Sequence, residues 1–324
     1  MRYGTIPGVN KPVARVVQGA TMIGSELDRA RSFALLDEVF QAGGNTIDTA
    51  HVYSGGDSER LIGQWAQDRG LRQQLVIITK GAAHSEDRRR LTPFDLASDL
   101  HDSLARLQTD SVDLYLLHRD DPGVPVEPIV DALNDHLRAG RIHAFGASNW
   151  SHPRIEAANA YAQANGLVPF VASSPQFSLG DQLQEPWPLC ITISGSAGTA
   201  AQEWYAQNQL PLLAYSPLAS GFYSGRFRRD NLPSFTRDLD QIGARAYASE
   251  ANFQRLDRLA EVAANKGMAV GQIAIAYVMN HRMNVFAIIG SSTGERFRLA
   301  VQGAELQLTP QELAWLDSGA DSVG

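Results

Sequence analysis

The chain has 324 residues, 44% of them hydrophobic and 19% charged, with a formal net charge of −7 and a pI near 5.6. That apolar fraction supplies a large core and excludes a disordered chain, and the negative balance speaks against a general nucleic-acid surface. A single cysteine, Cys190, excludes an intramolecular disulfide, and no stretch approaches the roughly 18 apolar residues of a membrane helix.

The opening, MRYGTIPGVN, lacks the apolar core of a secretory signal, so a cytoplasmic protein is expected. RYGTIPGVNKPVARVV reads as a hairpin, and RVVQGATM as a first strand. RSFALLDEVFQAG carries Phe33, Leu36, Val39 and Phe40 at helical spacing and stops at Gly43-Gly44. NTID (strand), SERLIGQWAQ (helix), LVIITK (strand) and FDLASDLHDSLARL (helix) follow. SVDLYLLH, IHAFGAS, FVASSPQ, PLLAYS and NVFAIIG read as further strands. Between them EPIVDALNDHLRAG, RIEAANAYAQANG, EWYAQNQ, NFQRLDRLAEVAANKG and VGQIAIAYVMNH have helical character. LTPQELAWL ends the series with a capping-box order in Thr309, Pro310 and Glu312.

Strand ends recur at about 30 to 40 residues, roughly the length of one βα unit. Alternating strands and helices imply a parallel sheet, and eight strands suffice to close a barrel. No G-x-G-x-x-G follows a strand, which argues against a dinucleotide-binding open sheet. The expectation is an α/β fold, a single-domain (β/α)8 TIM barrel over residues 1–324, with the hairpin capping its floor. Residues 177–200 and 219–250 exceed ordinary connections and, following strands, are expected as long loops over the C-terminal mouth.

The residue ending each barrel strand faces the catalytic mouth. Those positions hold Asp48, Lys80 and His118, with Tyr53 in the loop after Asp48. A tyrosine pKa near 10 is high for proton donation at neutrality; a nearby ammonium lowers it, and a carboxylate holds the ammonium in place. A neutral histidine can orient a carbonyl by hydrogen bonding. Each residue alone has a mundane reading, as a turn cap, a surface charge, a satisfied core histidine or a loop aromatic. Their joint placement at neighbouring strand ends does not. The run His118-Arg119-Asp120 also matches the catalytic loop of protein kinases. That reading fails, because the following Asn, a Gly-rich loop and an Asp-Phe-Gly are all missing. No clustered His, Cys or carboxylate pattern suggests a metal.

NTIDTAHVYSGGDSERLIGQW resembles the D-T-A-x-x-Y…E-x-x-[LI]-G stretch of the aldo-keto reductases, and VIITK, DLYLLH, GASNW, SPQFS and AYSPLASG match that family's further motifs in order. The resemblance implies NAD(P)H-dependent reduction of an aldehyde or ketone by direct hydride transfer. Tyr53 would be the general acid/base, Lys80, held by Asp48, would lower its pKa, and His118 would place the substrate oxygen. It also implies that Ser148, Asn149 and Gln176 hold the nicotinamide carboxamide and that Tyr215 stacks on the ring. Ser216, Leu218, Ser220 and Gly221 would wrap the pyrophosphate; Gly290, Ser291, Ser292, Thr293 and Arg296 would take the adenosine phosphate. Arg296 favours NADPH over NADH through charge-assisted bonding to a 2′-phosphate. Leu299 and Ala300 depart from the Glu-Asn expected against adenine, which leaves NADH open.

Substrate contacts are expected from Thr21, Met22, Arg119 and Trp150. Arg119 and Asp120 beside His118 suit a sugar or other hydroxylated carbonyl, unless they pair with each other. EDRRR at residues 86–90 reads as a solvated face, and Cys190 as unreactive. The expected partner is a small carbonyl or alcohol, with no nucleic acid or membrane; the alternative is a cofactor-binding regulatory subunit of the same fold. Oligomeric state leaves no mark on the sequence.

Overall fold

The computed structural model describes residues 1–320. Two short strands, β1 (Tyr3–Gly4) and β2 (Val13–Ala14), pair antiparallel as the opening hairpin. Eight further strands follow: β3 (Val16–Gly19), β4 (Thr46–Asp48), β5 (Val76–Gly81), β6 (Leu114–Leu117), β7 (Phe145–Ser148), β8 (Ser173–Ser174), β9 (Leu212–Tyr215) and β10 (Val285–Ile289). They are all parallel and close into a barrel when β10 pairs with both β9 and β3. The expected TIM barrel is therefore the observed fold.

Inside the barrel, Val17, Val76, Ile78, Leu114, Leu116, Leu213, Phe286 and Ile288 pack as one apolar cluster. Ile6, Val9 and Val13 of the hairpin region belong to the same cluster, so the hairpin plugs the floor as the sequence suggests. With the floor filled, polar groups at the strand C-termini face one open end.

The outer layer comprises α1 (Arg29–Gln41), α2 (Asp57–Asp68), α3 (Pro93–Leu107), α4 (Val126–Arg138), α5 (His152–Ala164), α6 (Thr199–Asn208), α7 (Asp238–Tyr247), α8 (Glu250–Lys266), α9 (Val270–Met279), α10 (Gly294–Glu305) and α11 (Pro310–Ser318). Local chemistry sets several of these boundaries. Thr92 and Asp95 form a reciprocal capping box at the start of α3, with Pro93 in the first turn; Thr309 and Glu312 do the same for α11. Gly267, at φ +63, ends α8 in the left-handed conformation that glycine adopts cheaply. A Cβ on Gly63 of α2 would lie 2.5 Å from the Leu107 carbonyl oxygen, so α2 meets the end of α3 through a bare backbone.

Two expectations change. The 219–250 connection is not simply a loop, because it contains α7, which packs Ala246 and Tyr247 against Phe222 and Phe227. The strand around FVASSPQ shrinks to Ser173–Ser174 and stops before Pro175, which has no N–H to extend the ladder. The 177–195 connection has little regular structure, yet it is tied down: Gln176 N donates to the Ile191 carbonyl at 2.8 Å and Ile193 N to the Gln176 carbonyl at 2.9 Å.

Candidate active site

Asp48 closes β4 and Lys80 is the penultimate residue of β5; both side chains are buried. The Lys80 ammonium donates to Asp48 Oδ2 at 2.7 Å, to the Thr49 carbonyl at 2.8 Å and to the Tyr53 hydroxyl at 3.3 Å. Three protons meet three acceptors, so the charged form is fully satisfied. Burial works against that charge, but the Asp48 carboxylate and Tyr53 outweigh it and hold the Lys80 pKa above its ordinary value. Burial pushes Asp48 up, against the pull of Lys80, and its Oδ1 has no hydrogen-bond partner.

Tyr53 opens a short turn after β4, in which Ser54 is held at φ +51. Its hydroxyl oxygen accepts from Lys80, leaving its own proton for another acceptor. Its acidity differs from the sequence expectation. Lys80 does favour the tyrosinate, but burial is the larger effect, and the pKa stands above the ordinary value. Lys80 thus offsets a desolvation penalty rather than making Tyr53 unusually acidic.

His118 follows β6 and lies edge-on to Tyr53, with ring centroids 5.7 Å apart. Burial, then Lys80 and Arg119, hold its pKa well below 6.5, so the imidazole is neutral at pH 7. Its Nδ1 is buried without a partner. The structure therefore brings Asp48, Tyr53, Lys80 and His118 to one place.

The residues expected around the carboxamide adjoin this group, and their hydrogen-bonding capacity is used internally. Asn149 Nδ2 donates to the His118 carbonyl at 3.2 Å and to Ser148 Oγ at 3.1 Å; its Oδ1 accepts from the Tyr215 hydroxyl at 2.7 Å and from Ile191 N at 3.0 Å. Gln176 Oε1 accepts from Thr192 and Ser194, while Nε2 donates to Ser178 Oγ at 3.0 Å and the Ser216 carbonyl at 3.4 Å. Ser148 Oγ donates to the Ser174 carbonyl at 2.9 Å. Tyr215 is half-buried.

The phosphate-end residues have spare capacity. Ser220 Oγ is buried with no partner. Ser216, Ala219 and Ser220 all have φ near +50, with Gly221 at +88. Strain of this kind in non-glycine residues gathers at ligand sites. Leu218 is partly buried between two core clusters. Gly290 opens the loop before α10 with free space where a Cβ would stand, and Thr293 caps that helix. The Arg296 guanidinium donates to Ser292 Oγ at 2.9 Å and has no carboxylate partner among the described residues. Ser291 points inward to Gln18. These groups fit an anionic dinucleotide, whose phosphates the N-terminus of a 12-residue helix also favours.

The substrate residues divide. Thr21 is exposed and Arg119 half-buried, but Met22 packs with Leu27, Leu35 and Phe297. Trp150 is 1% exposed, edge-on to Phe170 at 5.3 Å, and donates its indole N–H to the Arg119 carbonyl at 3.3 Å. It is an internal strut rather than an open wall, because Phe170 and Arg154 already cover its ring. Asp120 does not pair with Arg119; Arg154 Nε reaches it at 3.3 Å. Arg119 instead donates to the Pro188 carbonyl at 3.2 Å and the His118 carbonyl at 2.9 Å, with Cys190 Sγ at 3.7 Å. Cys190 is buried beside it. The 86–90 arginines are not merely solvated: Arg88 pairs with Asp95, Arg89 with Asp121 and Arg90 with Asp95 and Asp99. No helix among the described residues is long and apolar enough to cross a membrane.

Several known oxidoreductases resemble this chain along most of its length. A probable aryl-alcohol dehydrogenase of Saccharomyces cerevisiae is 27% identical over 303 residues, spanning 90% of this chain and 88% of that protein. An NADP(+) aryl-alcohol dehydrogenase of Phanerodontia chrysosporium is 28% identical, spanning 96% and 83%. The crystal structure of a thermostable aldo-keto reductase bound to the inhibitor epalrestat superposes with a TM-score of 0.75 at 26% identity, spanning 98% of this chain and 99% of that one. Residues 15–321 match the aldo/keto reductase family as a whole. Matched along residues 15–321 and folded as a closed parallel barrel, the chain belongs to the aldo/keto reductase family of NAD(P)H-dependent oxidoreductases.

Proposed function

We propose that the protein interconverts an aromatic aldehyde or ketone with its alcohol, using NADPH in preference to NADH, with Tyr53 as general acid in the reducing direction. A nicotinamide held at this site would supply the hydride for the carbonyl carbon. The observation that carries the reading is the Lys80–Tyr53 contact: the hydroxyl oxygen accepts from the ammonium, so the phenolic proton is free for a substrate oxygen.

Tyr53 remains neutral at rest, as a proton donor must. Negative charge growing on the substrate oxygen is met by the same hydroxyl that finally protonates it. The Lys80 ammonium then stabilises the tyrosinate left behind, and Asp48 keeps that ammonium in place. In alcohol oxidation the tyrosinate is the base. His118, neutral and edge-on to Tyr53, gives a second polar contact that orients the carbonyl.

Ser148, Asn149 and Gln176 would exchange internal hydrogen bonds for those of the carboxamide, with Tyr215 against the ring. Ser216, Leu218, Ser220 and Gly221 would line the pyrophosphate. Gly290, Ser291, Ser292, Thr293 and Arg296 would surround the adenosine phosphate. The unpaired Arg296 supports NADPH, as does the NADP(+) specificity in the name of one relative. Asp120 and Arg119 are engaged with Arg154 and with main-chain carbonyls, which removes the motive for a sugar and favours the aryl chemistry of the named relatives.

The test is Tyr53→Phe. NADPH oxidation with an aldehyde panel, followed at 340 nm, should fall by at least about 100-fold, with NADPH affinity within about twofold. Retained turnover, or lost cofactor affinity, would assign Tyr53 a different role.

A further inference from the structure

We propose that residues 183–189 form an apolar substrate wall, with Trp187 and Leu189 recognising the aryl ring of the carbonyl substrate; the inference rests on the reductase reading above.

Among the described residues eight large hydrophobic side chains stand out as exposed, and three of them, Leu183 at 53%, Trp187 at 37% and Leu189 at 43%, lie in this one segment. Both ends of the segment are pinned by polar contacts. On one side Leu183 N donates to the Ala246 carbonyl at 2.8 Å and Gln184 Nε2 to the Arg245 carbonyl at 3.1 Å. On the other, Arg119 grips the Pro188 carbonyl at 3.2 Å and Ile191 N reaches Asn149 Oδ1 at 3.0 Å. Arg119 is the neighbour of His118, so the wall ends beside the reacting groups. Val52, 44% exposed, immediately precedes Tyr53. Exposed apolar residues of two separate segments thus adjoin the site, one beside Tyr53 in the chain and the other through the Arg119 contact.

The backbone supports the same assignment. Leu189 sits at φ +59, a left-handed conformation unfavourable for a leucine, while Glu185 accepts from its N–H at 2.8 Å to hold the turn. A glycine or asparagine would sit there without strain. Strain of this kind in a non-glycine residue gathers at ligand-holding segments, which agrees with a presented side chain. A tryptophan face offers an aromatic ring more than area alone, through stacked or edge-to-face contact. Short aliphatic carbonyls gain little from it.

The experiment compares wild type, Trp187→Ala, Trp187→Phe and Leu189→Ala with benzaldehyde and butanal. Cofactor affinity is read by NADPH fluorescence, and binding of 4-fluorobenzyl alcohol by 19F NMR, which needs no turnover. Trp187→Ala should raise KM for benzaldehyde and the Kd of the fluorinated alcohol about tenfold, equivalent to about 1.4 kcal/mol. KM for butanal and the NADPH Kd should stay within about twofold. Trp187→Phe should recover most of the loss, and Leu189→Ala should show a smaller version of it. Equal effects on both aldehydes, or none on alcohol binding, would overturn the wall while leaving the reductase reading intact. If no NADPH is oxidised but the alcohol binds and depends on Trp187, the wall stands and the reductase reading falls.

Discussion

Replacing Lys80 by methionine tests the electrostatic logic of the site most directly. The substitution keeps an unbranched side chain but removes three hydrogen bonds, to Asp48 Oδ2, the Thr49 carbonyl and the Tyr53 hydroxyl. Asp48, 3% exposed and already lacking a partner at Oδ1, would then have no counter-charge. Breaking a buried ion pair from one side costs about 3–5 kcal/mol. Exchanging both partners for neutral groups is much milder, so Lys80→Met with Asp48→Asn should lie within about 2 kcal/mol of wild type. Asp48→Asn alone strands the Lys80 ammonium at a similar cost, so the double-mutant cycle should show a coupling of at least about 4 kcal/mol. Urea unfolding at pH 7, followed by tryptophan fluorescence and circular dichroism, gives these numbers. Without Lys80 the Asp48 carboxyl is pushed further up, so the deficit of the single variant should shrink at pH 5 as the buried group takes a proton. A single variant less than about 1 kcal/mol destabilised, or a double variant less stable than the single, would refute the argument that Lys80 compensates a buried carboxylate.

Arg296→Ala should weaken NADPH about 10- to 100-fold, the worth of a charge-assisted hydrogen bond, and leave NADH nearly unchanged; equal effects on both would sink the 2′-phosphate assignment. His118, His136 and His281 all have native pKa values held below 6.5, His281 at about 4, and burial is the leading cause in each. The unfolded chain therefore binds protons that the native state refuses, so melting temperature should fall as pH drops from about 6.5 toward 4, with a shallower slope in His281→Asn. Asp95, held at about 2, acts in the same sense, but its contribution is lost mainly as pH falls below the unfolded value of 3.8, beneath that window. Gly63→Ala places a methyl 2.5 Å from the Leu107 carbonyl oxygen and should cost about 1–3 kcal/mol in urea unfolding, through separation of α2 from α3.

The period of strands and helices is a local property, and it carried the barrel, the floor hairpin and the three strand-end residues Asp48, Lys80 and His118 directly from the sequence. What escaped depends on which groups meet in space. Asp120 and Arg119 are adjacent in the chain, yet Asp120 turns to Arg154 of α5. Trp150 has the look of a pocket residue beside Asn149, but Phe170 and Arg154 fill the space over its ring. The acidity of Tyr53 went the other way because burial, invisible in a list of neighbours, outweighs the ammonium. The wall at 183–189 was equally hidden; Trp187 in sequence is a loop residue without periodicity. The left-handed conformations at Asn149, Leu189, Ser216, Ala219 and Ser220 have no compositional trace either, since glycine, the usual marker, is absent from all five.

The seam between the first and last barrel strands has a consequence for how the chain reaches its native state. β3 pairs with β10, Val16 with Ala287 and Gln18 with Ile289, so this contact joins opposite ends of the polypeptide. During synthesis the early strands assemble while β10 is still missing, and β3 and β9 both present unpaired edges until it arrives. Ring closure of this span carries a large loop entropy and comes late. Ribosome stalling or a nonsense codon before residue 285 would therefore leave an open, sticky sheet rather than a smaller barrel. A fragment ending at residue 280 should partition to inclusion bodies, and supplying residues 281–324 in trans should restore part of the soluble material.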